Sequence, residues 1–310
     1  MVRGRLSSGI GVGAPFILLG ILGWSLIRAP IGSVLAAPAL PGTPADQLAV
    51  AATKVEDVTR KGSSGFTFTV VSRSVLYARD GGPLIEVPDP ADPGKSLGTA
   101  SEYDLGASIA TGIATPDGYF LQMYAGPPTR ADAVDFANAV PTLAALVKNR
   151  TTWRNDGDGW YPTDAPPGIG LDPATIALLP ALLREATGPV AKDARIVDGA
   201  LAAVVEAGGN IARAPGLMAV DAASFSELVA PLSFALDGEG RVVEIRARMR
   251  NTRMDVFDLL VETVITISYP AQAPVLPDPL PALPAETPHP LLPPADPEPA
   301  PDGTQGEVQP

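Results

Sequence analysis

The chain has 310 residues, a formal net charge of −12 and no cysteine, and its only histidine, His289, lies near the C-terminus. The folded region therefore has no thiol nucleophile, no disulfide, and no imidazole for a serine triad or a zinc site. These absences exclude most hydrolase mechanisms, and the acidic charge counts against binding to nucleic-acid phosphates. We expect no catalytic residue, no cofactor and no metal.

The N-terminal segment is typical of a membrane span. Residues 10–27 contain no charged side chain and are long enough to cross a bilayer core. Arg3 and Arg5 precede this stretch, which predicts that its start stays in the cytoplasm and that the rest is exported. Residues 1–40 are thus a signal anchor, or a signal peptide cut near residues 33–37. The length of the span favours a single-pass anchor in the cell membrane, and cleavage would give a secreted protein.

The C-terminal segment is rich in proline. From Pro270 to Pro310 there are 14 prolines in 41 residues, a density that excludes a regular helix or a sheet ladder. We predict that residues 271–310 form an extended or disordered arm, which could act as a spacer or bind an envelope protein. The intervening residues 41–270 are enough for one domain with a substantial core.

The first half of this domain contains a capped helix, strands and a hairpin. Thr43 and Asp46 form a variant of the capping box, and apolar residues recur at helical spacing over residues 44–60. Aromatic and β-branched residues alternate over residues 66–78, which predicts a long strand. The other elements predicted here are a loop over 80–100, a strand over 119–125, helices over 130–139 and 142–148, and a hairpin over 151–161.

The second half contains one helix followed by strands. Asp172 and Pro173 open the helix, Pro180 should kink or split it, and Gly188-Pro189 should close it. The predicted strands are 194–206, 217–222, 231–236, 241–250 and 255–268, with a hairpin turn at 237–240. This order predicts an α+β fold, in which one curved antiparallel sheet, a half-barrel, carries helices on its concave face.

Four stretches of the chain resemble the LolA-like periplasmic lipoprotein-carrier fold and its relatives among mycobacterial glycolipid-carrying lipoproteins. They are the first helix with FTFTVV, the hairpin WRNDGDGWYP, the helix LDPATIALLPALL and the closing run from RVVEIRARM to TVITISYPAQAPVLP. The resemblance covers about residues 43–280. It implies an open half-barrel whose concave face holds acyl chains without catalytic residues. The chain departs from the family in lacking a lipobox cysteine, in its long excursion over 80–115 and in its proline-rich arm.

Apolar residues of the predicted helix and strands are the candidate lining of such a cavity. The alternative is that these side chains fill an ordinary core, and the sequence alone does not separate the two. The candidates are Phe66, Phe68, Leu121, Met123, Ile176, Leu179, Leu183, Ile245 and Met249.

Two polar motifs have both a functional and a structural interpretation. Arg246, Arg248 and Arg250 alternate along one strand, so they share a face that could contact lipid headgroups or an acidic partner, or could simply be a solvated strand face. The run from Asn155 to Gly159 has closely spaced carboxylates, as a calcium loop has, but residue 166 is proline where a bidentate glutamate is expected. A hairpin turn is the favoured interpretation.

We therefore predict a non-enzymatic binding protein outside the cytoplasm that carries or senses a lipid or a lipoprotein acyl chain in an apolar cavity. One alternative is an envelope scaffold that works through the proline-rich tail. A third hypothesis is a carboxylate-based hydrolase of envelope sugars, since carboxylate pairs are the acid–base chemistry still open to this chain.

Overall fold

The computed structural model describes residues 38–60, 63–89, 91–125, 140–157, 159–163, 171–211, 215–218, 229–251 and 256–279. The chain divides into two compact units, residues 1–37 and 38–310, and all described residues belong to the second. The predicted membrane segment 10–27, the predicted helix 130–139 and the tail beyond residue 279 lie outside the described residues. Within the described ranges, no helix combines the length and the apolar character needed to span a bilayer.

The described part of the second unit contains two α-helices, thirteen β-strands and a short 3₁₀ helix. The helical elements are α1 (Pro44–Thr59), α2 (Pro173–Arg184) and the 3₁₀ helix Pro215–Met218. The strands are β1 (Phe66–Ala78), β2 (Ile85–Asp89), β3 (Asp92–Ala100), β4 (Glu102–Thr115), β5 (Gly118–Ala125), β6 (Leu143–Lys148), β7 (Thr151–Asn155), β8 (Trp160–Thr163), β9 (Thr187–Val197), β10 (Ala200–Asn210), β11 (Val229–Leu236), β12 (Val242–Asn251) and β13 (Phe257–Ser268).

Eleven of these strands form one antiparallel sheet in the order β8-β7-β6-β5-β4-β1-β13-β12-β11-β10-β9. The central strand β1 pairs with β13 over its length, from Thr67 opposite Ser268 to Ala78 opposite Phe257. On its other side β1 pairs with β4. The end strands β8 and β9 do not pair with each other, so the sheet is open. Strands β2 and β3 form a separate hairpin.

The sheet curves around the two helices, which share one apolar core with its inner face. Helix α1 contacts α2, and it also contacts both β4 and β9. Five strands separate β4 from β9, and a flat sheet would hold them roughly 29 Å apart, about three helix diameters. Helix α1 is about 24 Å long, so it reaches both strands by lying across the inner face of the curved sheet. This confirms the predicted antiparallel, curved sheet with helices on its concave face for the part of the chain that the structure describes.

Helix α1 begins at the predicted capping box. The Thr43 side chain accepts a hydrogen bond from the Asp46 backbone N–H at 3.3 Å, and Asp46 Oδ2 accepts one from the Thr43 N–H at 2.9 Å. These bonds satisfy two backbone donors that the first turn of a helix leaves free. The buried face of the helix has small and branched apolar residues at helical spacing, namely Leu48, Ala51, Ala52 and Val55.

Helix α2 begins at Asp172, whose Oδ1 accepts a hydrogen bond from the Thr175 N–H at 2.7 Å. The helix continues through Pro180 without a break and ends at Arg184, so the predicted split at Pro180 is wrong. It packs directly on β10 at Gly209, where a Cβ atom would lie 3.1 Å from Leu182 Cδ1 and 2.2 Å from Leu232 Cδ1. Any larger residue at position 209 would therefore require Leu232 or Leu182 to shift.

Strand β4 and strand β6 differ from the sequence predictions. Residues 102–115 belong to the long excursion of the sequence analysis, yet they form a 14-residue strand beside β1 although glycine and alanine do not favour strands. The ring of Phe68 on β1 occupies the space above Gly112 of this strand. Residues 142–148 were predicted as a helix. Pairing with both β5 and β7 makes Leu143–Lys148 a strand, because tertiary contacts override local propensity.

Three further boundaries are corrected. The predicted loop over 80–100 contains the β2–β3 hairpin. The predicted strand 194–206 is two strands joined by a turn at Asp198, whose φ of 47° is left-handed. Gly188-Pro189 lies within β9 instead of closing α2, and such a sequence is tolerated there because β9 is an edge strand with shifts in its register. Of the predicted strand 217–222, the described residues 217–218 belong to the 3₁₀ helix.

Replacing Gly112 by alanine should destabilise the fold through the Phe68 ring. A Cβ at this position would lie 2.1 Å from Phe68 Cζ, and Phe68 is itself buried against Tyr119. We expect Gly112→Ala to lower the free energy of unfolding by about 1–3 kcal/mol in urea titrations.

The matched control is Gly94→Ala on the exposed β3 strand. There the nearest neighbour of an added Cβ is Asp92 Oδ1 at 3.6 Å, so we expect little change. Equal unfolding midpoints for both variants would contradict the close packing of Phe68 over β4.

Candidate functional site

The inner face of the sheet and the buried sides of both helices form one continuous apolar cluster. All nine residues predicted to line a cavity belong to it or pack against it. They are Phe66 and Phe68 on β1, Leu121 and Met123 on β5, Ile245 and Met249 on β12, and Ile176, Leu179 and Leu183 on α2. Eight are buried and Met123 is partly exposed. The fold thus brings these residues together on one face, and their role in ligand binding stays a prediction.

The contact between helices and sheet is purely apolar in the described residues. The side chains of α1 and α2 make hydrogen bonds and ion pairs to each other and to the 3₁₀ helix, and none of those reaches a strand. Arg184 donates two hydrogen bonds to Glu56, at 2.6 and 2.8 Å, which links the two helices. The Gly216 N–H donates to Thr175 Oγ1 at 3.1 Å. The helix pair is therefore held on the sheet by side-chain packing alone.

A row of aromatic rings crosses the inner face near its centre. Phe68 lies between Phe66 and Tyr119, with ring centroids 6.2 and 5.9 Å away, and Phe66 also contacts Tyr269 at 6.1 Å. The Tyr269 hydroxyl donates to the Val242 carbonyl at 2.9 Å. By contrast, the Tyr119 hydroxyl is buried and has no hydrogen-bond partner among the described residues.

Tyr119 lies close to the N-terminus of α2. Its burial, and then the charge of Asp172, raise the pKa of Tyr119 well above its ordinary value, so the hydroxyl stays protonated. Sequence analysis did not single out this residue. The available signal was its position two residues before Leu121 and four before Met123, which places all three on the same face of β5.

The predicted arginine cluster lies on the opposite, convex face of the sheet. Along β12, Arg246 contacts Glu244 at 2.8 Å, Arg248 contacts Glu262 at 3.0 Å and Arg250 contacts Asp258 at 2.6 Å. A depression of about 750 Å³ covers part of this face, and its two other cations are also paired, Lys192 with Glu206 and Arg195 with Glu244. These ion pairs compensate most of the positive charge that the sequence suggested.

The sheet separates the arginines from the space between helices and sheet, and a contact of these arginines with a lipid headgroup stays a prediction. A contact with an acidic partner on the convex face stays a prediction.

The Asn155–Gly159 segment is a hairpin turn between β7 and β8, as favoured from the sequence. Asn155 Oδ1 accepts hydrogen bonds from the N–H groups of Gly157 and Gly159, at 2.8 and 3.3 Å. Arg154 and Tyr161 both donate to Asp156, at 2.7 and 2.6 Å. In the part of the chain that the structure describes, no three carboxylate or histidine side chains come together to hold a metal ion.

The buried carboxylates of the described residues have structural partners. Asp172 caps α2, Glu244 contacts Arg195 and Arg246, and Asp258 lies between Arg79 and Arg250. The hydrogen bond from Arg79, followed by that from Arg250, holds the pKa of Asp258 below its ordinary value. Asp258 is therefore ionised at neutral pH, which does not suit a general acid.

Asp258→Asn should lower the free energy of unfolding at neutral pH. In this variant the free energy of unfolding should also fall less as the pH is lowered into the acidic range. The lowered pKa of Asp258 belongs to the folded state, so its stabilising effect is complete above the unfolded-state pKa of about 3.9. This effect is lost as the pH falls through the folded-state pKa. Urea titrations at pH 7 and at a series of pH values below 4 measure both effects.

Asp57→Asn is the control, because it removes an exposed pair with Arg60 in which the two atoms are 3.1 Å apart. If the free energy of unfolding fell equally with decreasing pH in the wild type and in Asp258→Asn, Asp258 would not be a source of the acid-dependent stability.

Comparison with known proteins gives matches to solved structures only. No protein-family model matches the chain, and neither does any curated protein. The Mycobacterium tuberculosis lipoprotein LppX matches with 13% identity and a TM-score of 0.34, over 74% of this chain and 100% of its own. LprF from Mycobacterium bovis matches with 13% identity and a TM-score of 0.37, over 75% and 96%.

A LolA superfamily protein from Nitrosomonas europaea also matches, with 11% identity and a TM-score of 0.25, over 74% of this chain and 93% of its own. One of these matches is thus a member of the LolA superfamily, the group that the sequence resembles, and all three have low identity and low TM-scores.

Proposed function

We propose that this protein binds the acyl chain of a lipid between its helix pair and the concave face of its sheet. It does so without catalysis and outside the cytoplasm, as a carrier or a sensor. The observation that carries this proposal is the purely apolar contact between helices and sheet. The nine residues predicted as a lining, from Phe66 to Met249, supply much of that contact surface.

An apolar contact of this kind can open for a guest at little cost in hydrogen bonds. The hydrogen bonds of Arg184, Glu56 and Thr175 stay within the helical elements, so they remain intact when the helix pair moves away from the sheet. An acyl chain inserted in the gap restores the burial of apolar surface, which is worth about 25 cal/mol per Å². The two hydrogen bonds from Arg184 to Glu56 join the helices, so that they would move together as one lid.

The open sheet supports the same proposal. Its end strands β8 and β9 are free to separate further, because no ladder closes the sheet into a barrel. Widening the half-barrel therefore changes curvature without breaking strand pairing. A closed barrel of fixed strand number would have a fixed interior.

A second candidate function, interaction through the proline-rich tail, is favoured by the position of its first residues. Lys148 Nζ lies 2.5 Å from Asp278 Oδ1, and Leu276 lies close to Gly118 at the β4–β5 turn. The segment that follows β13 thus returns to the end of the sheet before the tail continues. A tail that leaves from a fixed point could present a docking segment to an envelope partner.

The lipid-binding proposal is tested by enlarging a side chain that faces the interior. Ala52 is fully buried on α1, and Ala52→Leu adds three carbons at the helix–sheet contact. If the interior makes room for an acyl chain, the new side chain should displace lipid while the lipid-free protein stays folded. In a permanently filled core, the same change should instead destabilise the fold by about 1–3 kcal/mol.

The measurement is mass spectrometry of the solvent extract from the full chain, purified from a bacterial envelope, together with thermal unfolding of the lipid-free protein. Ala49→Leu makes the same change on the exposed face of α1 and should retain lipid like the wild type. A wild-type protein that carries no lipid and binds no fluorescent fatty acid would refute the proposal.

A further inference from the structure

Tyr119 places a polar group in an otherwise apolar interior. The residue is 2% exposed, and its hydroxyl finds no hydrogen-bond partner within the described part of the chain. Buried polar groups in folded proteins are paired as a rule, and an unpaired one is an exception that calls for an explanation. A bound molecule that supplies the missing partner is such an explanation.

Hydrogen bonds at the N-terminus of α2, the end of the helix near Tyr119, join other groups. Asp172 Oδ1 accepts the Thr175 N–H at 2.7 Å, and the Thr175 hydroxyl accepts the Gly216 N–H at 3.1 Å. These contacts fix the N-terminus of α2 and the 3₁₀ helix beside the sheet. They leave the Tyr119 hydroxyl as an unused donor at this end of the interior.

The ring of Tyr119 is held firmly, so its hydroxyl has a defined position. Phe68 stacks on it with centroids 5.9 Å apart and ring planes inclined by 23°. The Phe68 ring in turn lies against Gly112, and it fits there because glycine has no side chain. A donor fixed in this way is preorganised for a ligand and loses little freedom on binding.

We propose that the Tyr119 hydroxyl donates a hydrogen bond to the ester carbonyl oxygen of a neutral acylated lipid, whose acyl chain lies between the helices and the sheet. This inference rests on the proposed lipid-binding function and specifies the chemical class of the ligand. The ester group would lie at the end of the interior where α2 begins.

The surroundings of Tyr119 favour a neutral acceptor over an anion. The carboxylate of Asp172 is near enough to raise the pKa of Tyr119, and it would repel the carboxylate of a free fatty acid. The buried polar residues of the described ranges include no lysine or arginine that could pair with such an anion. An ester carbonyl accepts a hydrogen bond and brings no charge into the interior.

The test compares three pyrene-labelled probes on the full-length protein: dodecanoic acid methyl ester, the free dodecanoic acid and a dodecyl chain without oxygen. Wild type should bind the ester most tightly. Tyr119→Phe keeps the ring that stacks on Phe68 and removes only the hydroxyl. It should weaken ester binding about five- to tenfold, the effect of one desolvated hydrogen bond, with binding of the dodecyl probe unchanged.

Tyr124→Phe is the matched control. It removes a hydroxyl from the same strand β5, but on the other face, where Tyr124 donates to Gln122 Oε1 at 3.2 Å. It should leave the affinity for all three probes unchanged. Thermal unfolding of the lipid-free proteins adds an independent readout, since Tyr119→Phe breaks no described hydrogen bond and should not lower the unfolding midpoint.

Three results would overturn the inference. Unchanged ester affinity in Tyr119→Phe would show that the hydroxyl is not the donor, even though lipid binding itself stands. A wild type that prefers the free acid would show that the site takes an anion. A wild type that binds none of the probes would refute the proposed function, and the inference with it.

Discussion

The pairing of the first strand with the last is the interaction on which the rest of this structure depends. β1 and β13 are about 180 residues apart in the chain, yet they run side by side from Thr67–Ser268 to Ala78–Phe257. One meander extends outward from β1 and the other from β13. The register of this one pair therefore decides whether both meanders turn their apolar side chains to the same face, because a slip of one residue would reverse the side chains of one meander relative to the other.

On β12, polar and apolar side chains are sorted by face as a consequence. On β12, Ile245 and Met249 point into the core, whereas Arg246, Arg248 and Arg250 point to the convex face and pair with acids there. The charged groups are thus satisfied away from the helices. The concave side packs against the helices through apolar side chains, and the Tyr119 hydroxyl is an unpaired polar group among them.

The sequence was sufficient for the elements whose signals are local. The capping box at Thr43, the N-cap at Asp172 and the strict alternation in β1 each depend on neighbours within a few residues, and each prediction is confirmed. The same period-two rule applies to the lining candidates on the strands, and helical spacing applies to Ile176, Leu179 and Leu183 on α2. Signals that depend on distant partners were missed. β4 is a strand because β1 and β5 flank it, although its glycines and alanines do not favour one.

The site shows the same division between local and distant information. That Arg246 to Arg250 share a face follows from alternation, but their compensation by Glu262 and Asp258 depends on the register of β13. Tyr119 was read as an ordinary strand residue. The absence of a hydrogen-bond partner for its hydroxyl depends on how distant elements, above all α2, pack around it.

An open sheet has two free edges, and a free edge can pair with another molecule of the same kind. Strand β9 is built to discourage this. It carries Gly188 and Pro189 near its start, a charged centre at Lys192 and Asp193, and shifts in its register with β10. Such an edge is a poor template for a further strand. The openness that lets the half-barrel change its width is therefore compatible with a protein that stays free of strand-mediated aggregation.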